Sequence, residues 1–262
     1  MAQDLEKSTQ ELIEKEKVGR ELELAGEIQK ELLPKTLPKI PNLDMAVSLV
    51  SATEVGGDCY DFLMPDDKSM IFYVGDVTGH GVPAGLVAAI NNALVPAFIE
   101  QYKTTKELII HLNKILQKKT RPNVFMTMVM AHWHIEEAKL GYTQAGHDPI
   151  LHFSATDGTV TEATFGGMAL GMTPDISNIV KTEYLNMGVN DVAVLYTDGI
   201  PEAWANEKET YGMGRFKESI RKNCQFHTAQ EIHDGIIKDL REFMGDYPQA
   251  DDITLLVVKR TV

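Results

Sequence analysis

Residues 70–94 read MIFYVGDVTGHGVPAGLVAAINNAL, and the rest of the chain is understood from them. The first five are apolar, β-branched or aromatic, a run that predicts a buried strand. GDVTGHG follows, a glycine-punctuated turn with a single acid, Asp76, at the strand end. Pro83 then stands near the start of an Ala/Leu-rich segment, which predicts a helix, because a first-turn residue has no intrahelical use for the missing N–H. A carboxylate between glycines sits where backbone groups can come close to an ion. Taken alone, Asp76 is equally an Asx-turn after a strand. The balance shifts because the acid-at-strand-end pattern recurs.

Outward from that stretch, VGGDCYDFLMP at 55–65 places Asp58 after Gly56 and Gly57, with a second acid at Asp61. DDKS at 66–69 reads as a hairpin turn into the 70–74 strand, so Asp58 and Asp76 are expected near the ends of paired neighbours. DVAVLYTDG at 191–199 repeats the logic, a buried strand over 192–196 and then Asp198. ADDITLLVVKR at 250–260 puts Asp251 and Asp252 directly before a last apolar strand, 253–258. If these strands share a sheet or a sandwich, Asp58, Asp76, Asp198 and Asp251 can meet at one edge. Uncompensated, such carboxylates repel and drive their pKa values up. A pair of divalent cations resolves the conflict, and oxygen-only donors favour Mg²⁺ or Mn²⁺. Two ions about 3.5–4 Å apart activate a bridging water and clamp a phosphoryl group. Zinc is disfavoured, since no concentrated His/Cys set is present.

The remaining segments supply the frame. Residues 3–33 are rich in Glu, Lys, Leu and Gln without proline, and Leu5, Leu12, Leu22, Ala25, Ile28 and Leu32 recur at helical steps. This predicts a long amphipathic helix, either a coiled-coil dimer arm or a helix packed on its own domain. The seven-residue step from Leu5 and Leu12 falls on Gly19 and Gly26, which interrupt the seam. Pro34, Pro38 and Pro41 end the helix and divide the chain into a regulatory segment, 1–41, and a catalytic domain, 42–262. Strands are expected over 45–53 and 124–137, and helices over 86–94, 106–116, 216–223 and 229–244. His132 and His134 alternate on one strand face, where solvent-facing histidines are commoner than metal ligands. Residues 139–163 read as a meander with His147 and Asp148 in a Gly-His-Asp-Pro turn, a structural or substrate-edge role. Residues 164–174 form a Gly-rich loop lacking the P-loop lysine. A helix over 200–205 and a flap near Tyr211 follow.

Bulk properties exclude several classes. The 262 residues carry 25 Lys+Arg against 38 Asp+Glu, a net charge of −13, which disfavours a nucleic-acid partner. Cys59 and Cys224 are far apart and form no CxxC, so neither a disulfide framework nor a thiolate zinc site is indicated, which fits a reducing cytoplasm. The N-terminus is charged from Asp4 onward and shows no signal peptide. No apolar run approaches membrane-spanning length, so no membrane partner is expected.

Seven landmarks carry a family resemblance: IQKELLPKTLP at 28–38, VGGDCYDF at 55–62, GDVTGHGVPAGLVAA at 75–89, FMTMVM at 125–130, AGHDP at 145–149, LYTDGIPEA at 195–203 and DDITLLVV at 251–258. In this order they resemble bacterial PPM-type (type 2C) serine/threonine phosphatases of the SpoIIE-like branch, related to the RsbU regulators of sigma-factor pathways. The resemblance implies an α+β fold, a four-layer α-β-β-α sandwich of two antiparallel sheets flanked by helices and preceded by the long N-terminal helix. It implies that Asp76 bridges two Mn²⁺ or Mg²⁺ ions, that the Val77 carbonyl adds a ligand, and that Asp198 and Asp251 bind one metal. Asp58 holds metal-bound waters or reaches a metal directly, so Asp58 and Asp76 are the implied catalytic pair. A metal-bound hydroxide then attacks phosphoserine or phosphothreonine with no covalent enzyme intermediate. The implied substrate is a phosphorylated STAS-type anti-sigma-factor antagonist in a partner-switching pathway. The N-terminal helix resembles the linkers that join sensory domains and pair into homodimers.

The chain also departs from the family pattern. Eukaryotic relatives bind phosphate with an arginine near the first acidic motif, whereas no arginine lies between Arg20 and Arg121 here. Their histidine two residues after the bridging acid is replaced by Thr78, with His80 further on, and Asp148 stands where this branch usually has Asn. Two other readings compete: a catalytically silent phosphoprotein-binding module that dimerises through the helix, and a nucleotide cyclase. The cyclase is disfavoured because no base- or ribose-recognising residues can be located.

Overall fold

The computed structural model describes residues 2–163 and 166–262, without the side chains of Ala2 and Leu5. Thr164 and Phe165 of the expected Gly-rich loop, and the side chain of Leu5 in the expected heptad, therefore lie outside the described residues. In chain order the elements are helix α1 (Ala2–Glu31), strands β1 (Leu43–Val50), β2 (Cys59–Asp66) and β3 (Ser69–Val77), and helices α2 (Val82–Phe98) and α3 (Thr105–Lys119). Strands β4 (Met126–His134), β5 (Lys139–Ala145), β6 (Ile150–Ser154), β7 (Thr159–Ala163), β8 (Thr182–Asn186) and β9 (Val192–Tyr196) follow. A short hairpin of β10 (Trp204–Asn206) and β11 (Glu209–Thr210) precedes helices α4 (Gly212–Asn223) and α5 (Ala229–Met244) and the last strand, β12 (Ile253–Arg260).

The strands form two antiparallel sheets, ordered β1-β12-β9-β6-β7 and β2-β3-β4-β5-β8. Strand β3 is apolar throughout because both its faces are covered. Met70, Phe72 and Val74 point between the sheets, where they meet Trp133 of β4 and Leu256 and Val258 of β12. Ile71, Tyr73 and Val77 point the other way, toward Ala84 and Ala88 of α2 and Leu108 and Leu112 of α3. Strand β12 divides likewise, with Leu255 and Val257 facing Phe216 of α4 and Ile232 and Ile236 of α5. Three apolar seams thus separate four layers, as the resemblance implies. Each fully buried large side chain contributes about 1.5–3 kcal/mol relative to exposure. Trp133 is the largest of these, and its indole N–H donates to Asn42 Oδ1 at 2.9 Å, so its one polar atom is satisfied. Thr104 with Glu107 and Thr228 with Glu231 close reciprocal capping boxes at the starts of α3 and α5. Among the described residues no helix is long and apolar enough to cross a membrane.

Helix α1 behaves as two parts. Leu12, Ile13, Val18 and Leu24 are exposed, while Gly26 is buried against the domain. A Cβ at Gly26 would stand 2.0 Å from the Glu54 carbonyl oxygen, so the residue that breaks the heptad is the point of closest approach to the chain's own domain.

Three expectations need correction. Residues 139–163 do not form a meander within one sheet, because β5 pairs with β4 and β8 while β6 pairs with β7 and β9. The Gly-His-Asp-Pro turn carries the chain from one sheet to the other. Residues 200–205 form no helix: 200–202 are turns, and 204 and 205 already belong to β10 of the hairpin. His132 and His134 do share a face, with ring centroids 4.2 Å apart, but both are half-buried, and among the described residues His132 Nε2 has no hydrogen-bond partner. Edge strand β8 was not expected, since Thr182–Asn186 alternates too weakly to announce a strand.

Candidate active site

The strand ends that carry the acids gather at one edge of the sandwich. Asp76 lies in β3 opposite Thr127 of β4, and Asp198 follows β9 in the other sheet. Asp76, Thr127, Gly146, His147, Asp148 and Asp198 line one open cavity of about 70 Å³. Burial, with the charges of Asp198 and Asp251 behind it, pushes the Asp76 carboxyl up to about 7. The Asp198 carboxyl is pushed up to about 6 by burial and then by Asp251 and Glu202. Asp76, Asp198 and Asp251, remote in sequence, therefore act on one another electrostatically. Among the described residues no three such side chains close into a ready-made cage for a metal ion. The donor set is nonetheless of the right chemistry for a hard divalent cation: carboxylate oxygens that mutual charge makes costly to ionise together.

Asp58 is buried beside this cavity, with its pKa held up by burial and by the charge of Asp76. Its Oδ2 accepts hydrogen bonds from the hydroxyls of Thr197 at 2.7 Å and Thr254 at 2.5 Å. Thr254 N–H in turn donates to Thr197 Oγ1 at 3.0 Å. Asp58 thus enters from the β2–β3 sheet and is fixed by residues at the ends of β9 and β12 in the other.

The neighbouring acids Asp251 and Asp252 have separate duties. Asp252 is buried and accepts backbone N–H bonds from Ala52 at 2.7 Å, Gly57 at 2.6 Å and Asp58 at 3.3 Å. It organises the Gly-Gly turn that presents Asp58. A Cβ at Gly56 would lie 2.4 Å from Asp252 Oδ2, which is why a glycine stands there. Asp251 is exposed; its carboxylate Oδ1 accepts from Asp252 N–H at 2.8 Å and its carbonyl accepts from Gln249 Nε2 at 2.7 Å. Its charge bears on both Asp76 and Asp198.

His147 joins the two sheets at the same edge. Nε2 lies 3.0 Å from the Tyr196 carbonyl and Nδ1 lies 2.7 Å from Thr127 Oγ1. A carbonyl can only accept, so Nε2 carries the proton and Nδ1 accepts from the threonine hydroxyl. Burial holds the ring down to about 4, keeping it in this neutral form. Its links run to the β4 residue beside Asp76 and to the residue two before Asp198.

Helix α1 reaches this region through Gln29. Its Nε2 donates to the Gly56 carbonyl at 2.7 Å and its Oε1 accepts from Gly56 N–H at 3.1 Å. Both backbone groups of the turn beside Asp58 are thus held by one side chain. Gln29, Thr127, Thr197 and Thr254 have no part in the sequence-based expectations, and Asp252 is named there without a role. For Asp252 the signal was a second acid in DDIT, and for Thr197 a hydroxyl beside the acid in YTDG, but the partners that define their roles lie far along the chain.

Comparisons with known proteins identify the family and the fold. The family model described as Stage II sporulation protein E (SpoIIE) matches residues 66–261. Phosphoserine phosphatase RsbU of Bacillus subtilis is 26% identical over 249 residues, covering 94% of this chain and 72% of RsbU. The SiaA-PP2C domain of Pseudomonas aeruginosa superposes with a TM-score of 0.81 at 22% identity, covering 95% of this chain and 98% of that domain. RsbX, solved in complex with magnesium, superposes with a TM-score of 0.61 at 17% identity, covering 86% of this chain and 99% of RsbX. The match spans most of the domain, including Asp76, Asp198 and Asp251, so the chain belongs to the SpoIIE family of PP2C-type phosphatases.

Proposed function

We propose that this chain is a metal-dependent protein phosphatase that hydrolyses phosphoserine or phosphothreonine on a protein substrate. The observation that carries the reading is the meeting of Asp76 and Asp198, from different sheets, in one cavity with both carboxyl groups pushed up toward neutrality. A site that makes its own carboxylates costly to ionise is one that favours a divalent cation. Asp76 and the Val77 carbonyl are proposed to hold two Mn²⁺ or Mg²⁺ ions, with Asp198 and Asp251 completing one of the two sets. When bound, the ions supply an activated water and neutralise phosphoryl charge.

The chain's own groups do the positioning. Asp58, fixed through Oδ2 by Thr197 and Thr254, keeps Oδ1 for the water network. His147 keeps the Asp76 and Asp198 strand ends in register across the sheets. The family relation to RsbU supports a phosphorylated STAS-type regulator as the substrate. Residues 42–262 form the catalytic unit, and 1–41 a regulatory segment whose last turns dock on it through Gly26 and Gln29. That contact supports tuning of metal occupancy by α1, and the exposed Leu12, Ile13 and Val18 support pairing with a second copy.

The deciding experiment is phosphate release from a phosphoserine peptide with Mn²⁺, comparing the parent with Asp76→Asn. Expected is Mn²⁺-dependent release that the substitution lowers by about 10²-fold or more while leaving the far-ultraviolet dichroism unchanged. Parent protein that releases no phosphate under saturating Mn²⁺ refutes the proposal.

A further inference from the structure

We propose that the protein substrate docks in the groove between the outer ridge of α2 and the basic α3–β4 connection, placing an apolar face on the ridge and an acidic surface against Lys119 and Arg121, with its phosphorylated residue reaching on to the Asp76 turn. The inference rests on the phosphatase reading above and adds the surface that selects the substrate.

Val82, Leu86 and Ile90 are 36%, 59% and 43% exposed and stand at i, i+4 and i+8, one stripe on the solvent side of α2. Surface side chains of this size in a row mark an interaction site more often than scattered ones do. A groove of about 290 Å³ runs beside the stripe, with Lys119, Arg121 and Val124 on its far wall. Lys118, Lys119 and Arg121 are all exposed, and among the described residues none is in an ion pair. The segment from Leu108 to Ile135 contains no acid at all, in a chain whose net charge is −13. A phosphoprotein approaching an acidic molecule meets attraction along this wall.

The groove is also fastened to the site. Thr78, two residues after Asp76, donates its N–H to the Phe125 carbonyl at 2.9 Å and accepts from Phe125 N–H through Oγ1 at 3.0 Å. Val77 pairs with Met126 in the β3–β4 ladder. A partner seated on the ridge is therefore held beside the turn that carries Asp76. A second copy of the chain suits the groove less well, because a two-fold axis through it would set the same cations against one another.

Ile90→Asp and Arg121→Glu test the proposal; Leu86 is avoided because it also faces α1. Turnover is measured with Mn²⁺ on a serine-phosphorylated STAS-domain protein and on p-nitrophenyl phosphate. Calorimetric titration of the same phosphoprotein is run in EDTA, where no turnover occurs. In each variant kcat/KM for the phosphoprotein is expected to fall and its Kd to rise by about tenfold or more, with p-nitrophenyl phosphate turnover unchanged. Equal losses on both substrates, unchanged values on both, or no binding by the unaltered chain overturn the proposal. Variants that change the mass seen by light scattering while keeping phosphoprotein kcat/KM assign the ridge to a second copy and also overturn it. A parent that hydrolyses neither substrate yet binds the phosphoprotein, with binding lost in the variants, upholds the groove and sinks the phosphatase reading instead.

Discussion

Replacing each of two adjacent acids by its amide separates the scaffold of the site from its chemistry. Asp252 accepts from Gly57 N–H and Asp58 N–H through one oxygen and from Ala52 N–H through the other. Asparagine keeps a single acceptor, so its NH₂ must face at least one backbone N–H. The 2.6 and 2.7 Å bonds are the strong pair, and one of them is lost whichever way the amide turns. A hydrogen bond to a charged group contributes about 1.5–3 kcal/mol, and the donor left facing a donor adds its own desolvation, for a total of about 2–4 kcal/mol. In a chain of this length each kcal/mol moves Tm by about 2–4 °C, so Asp252→Asn should melt about 5–15 °C below the parent. Asp251→Asn removes an exposed carboxylate with one local bond and should change stability by less than about 1 kcal/mol, while abolishing Mn²⁺-dependent turnover. Thermal melts followed by circular dichroism, paired with phosphate release, read both effects. Asp252→Asn melting with the parent, or Asp251→Asn retaining full turnover, refutes the division of labour.

Gln29→Ala removes both bonds from α1 to Gly56, about 1–3 kcal/mol, and should raise the Mn²⁺ concentration for half-maximal activity by about tenfold; an unchanged Mn²⁺ titration counts against α1 tuning the site. His147→Phe loses the link between Thr127 and Tyr196 and should lower kcat by about 10–100-fold with KM on a small ester nearly unchanged, whereas a pure KM effect would contradict a positioning role. In EDTA the protein should become more stable as pH falls from about 8 to 6: the Asp76 carboxyl, pushed up to about 7, takes up a proton in the fold that the unfolded chain does not take until near 4, and the advantage is lost as pH rises through 7. Partial exposure keeps this to about 1–2 kcal/mol, and Asp76→Asn should flatten the slope; a parent Tm that falls over the same window disproves the shift.

The buried strands were legible because doubly covered strands write themselves as unbroken apolar runs, as β3, β9 and β12 do, whereas the four-layer frame came from the family resemblance. The acids were legible because each follows or precedes such a run beside a glycine or a second acid. Sheet membership was not. The turn at His147 has the composition of a hairpin, and nothing local in it states that β6 will leave the sheet of β5. Gly26 misled for a related reason: read along one helix it is a gap in a seam, and only the Glu54 carbonyl, brought in by the fold, makes it a contact. The distinction between Asp251 and Asp252 is likewise written in N–H groups about two hundred residues earlier in the chain.

The polar bracing follows from what the edge must withstand. Acids drawn to one cavity repel, and apolar packing, being non-directional, does nothing to fix where each oxygen points. The bonds found there are directional, and those that fix Asp58, Gly57 and His147 cross from one sheet to the other. Asp58 is held by Thr197 and Thr254, the Gly57 N–H by Asp252, and the Thr127 hydroxyl by His147, whose other nitrogen holds Tyr196. Each brace takes one partner from the β2–β4 side and one from the β9 or β12 side. Sliding one sheet over the other by a residue would break all three braces at once and draw Asp198 away from Asp76. The register of the sandwich is thus set at the catalytic edge as well as in its core. A substitution there that leaves the apolar seams intact is expected to cost activity before it costs the fold.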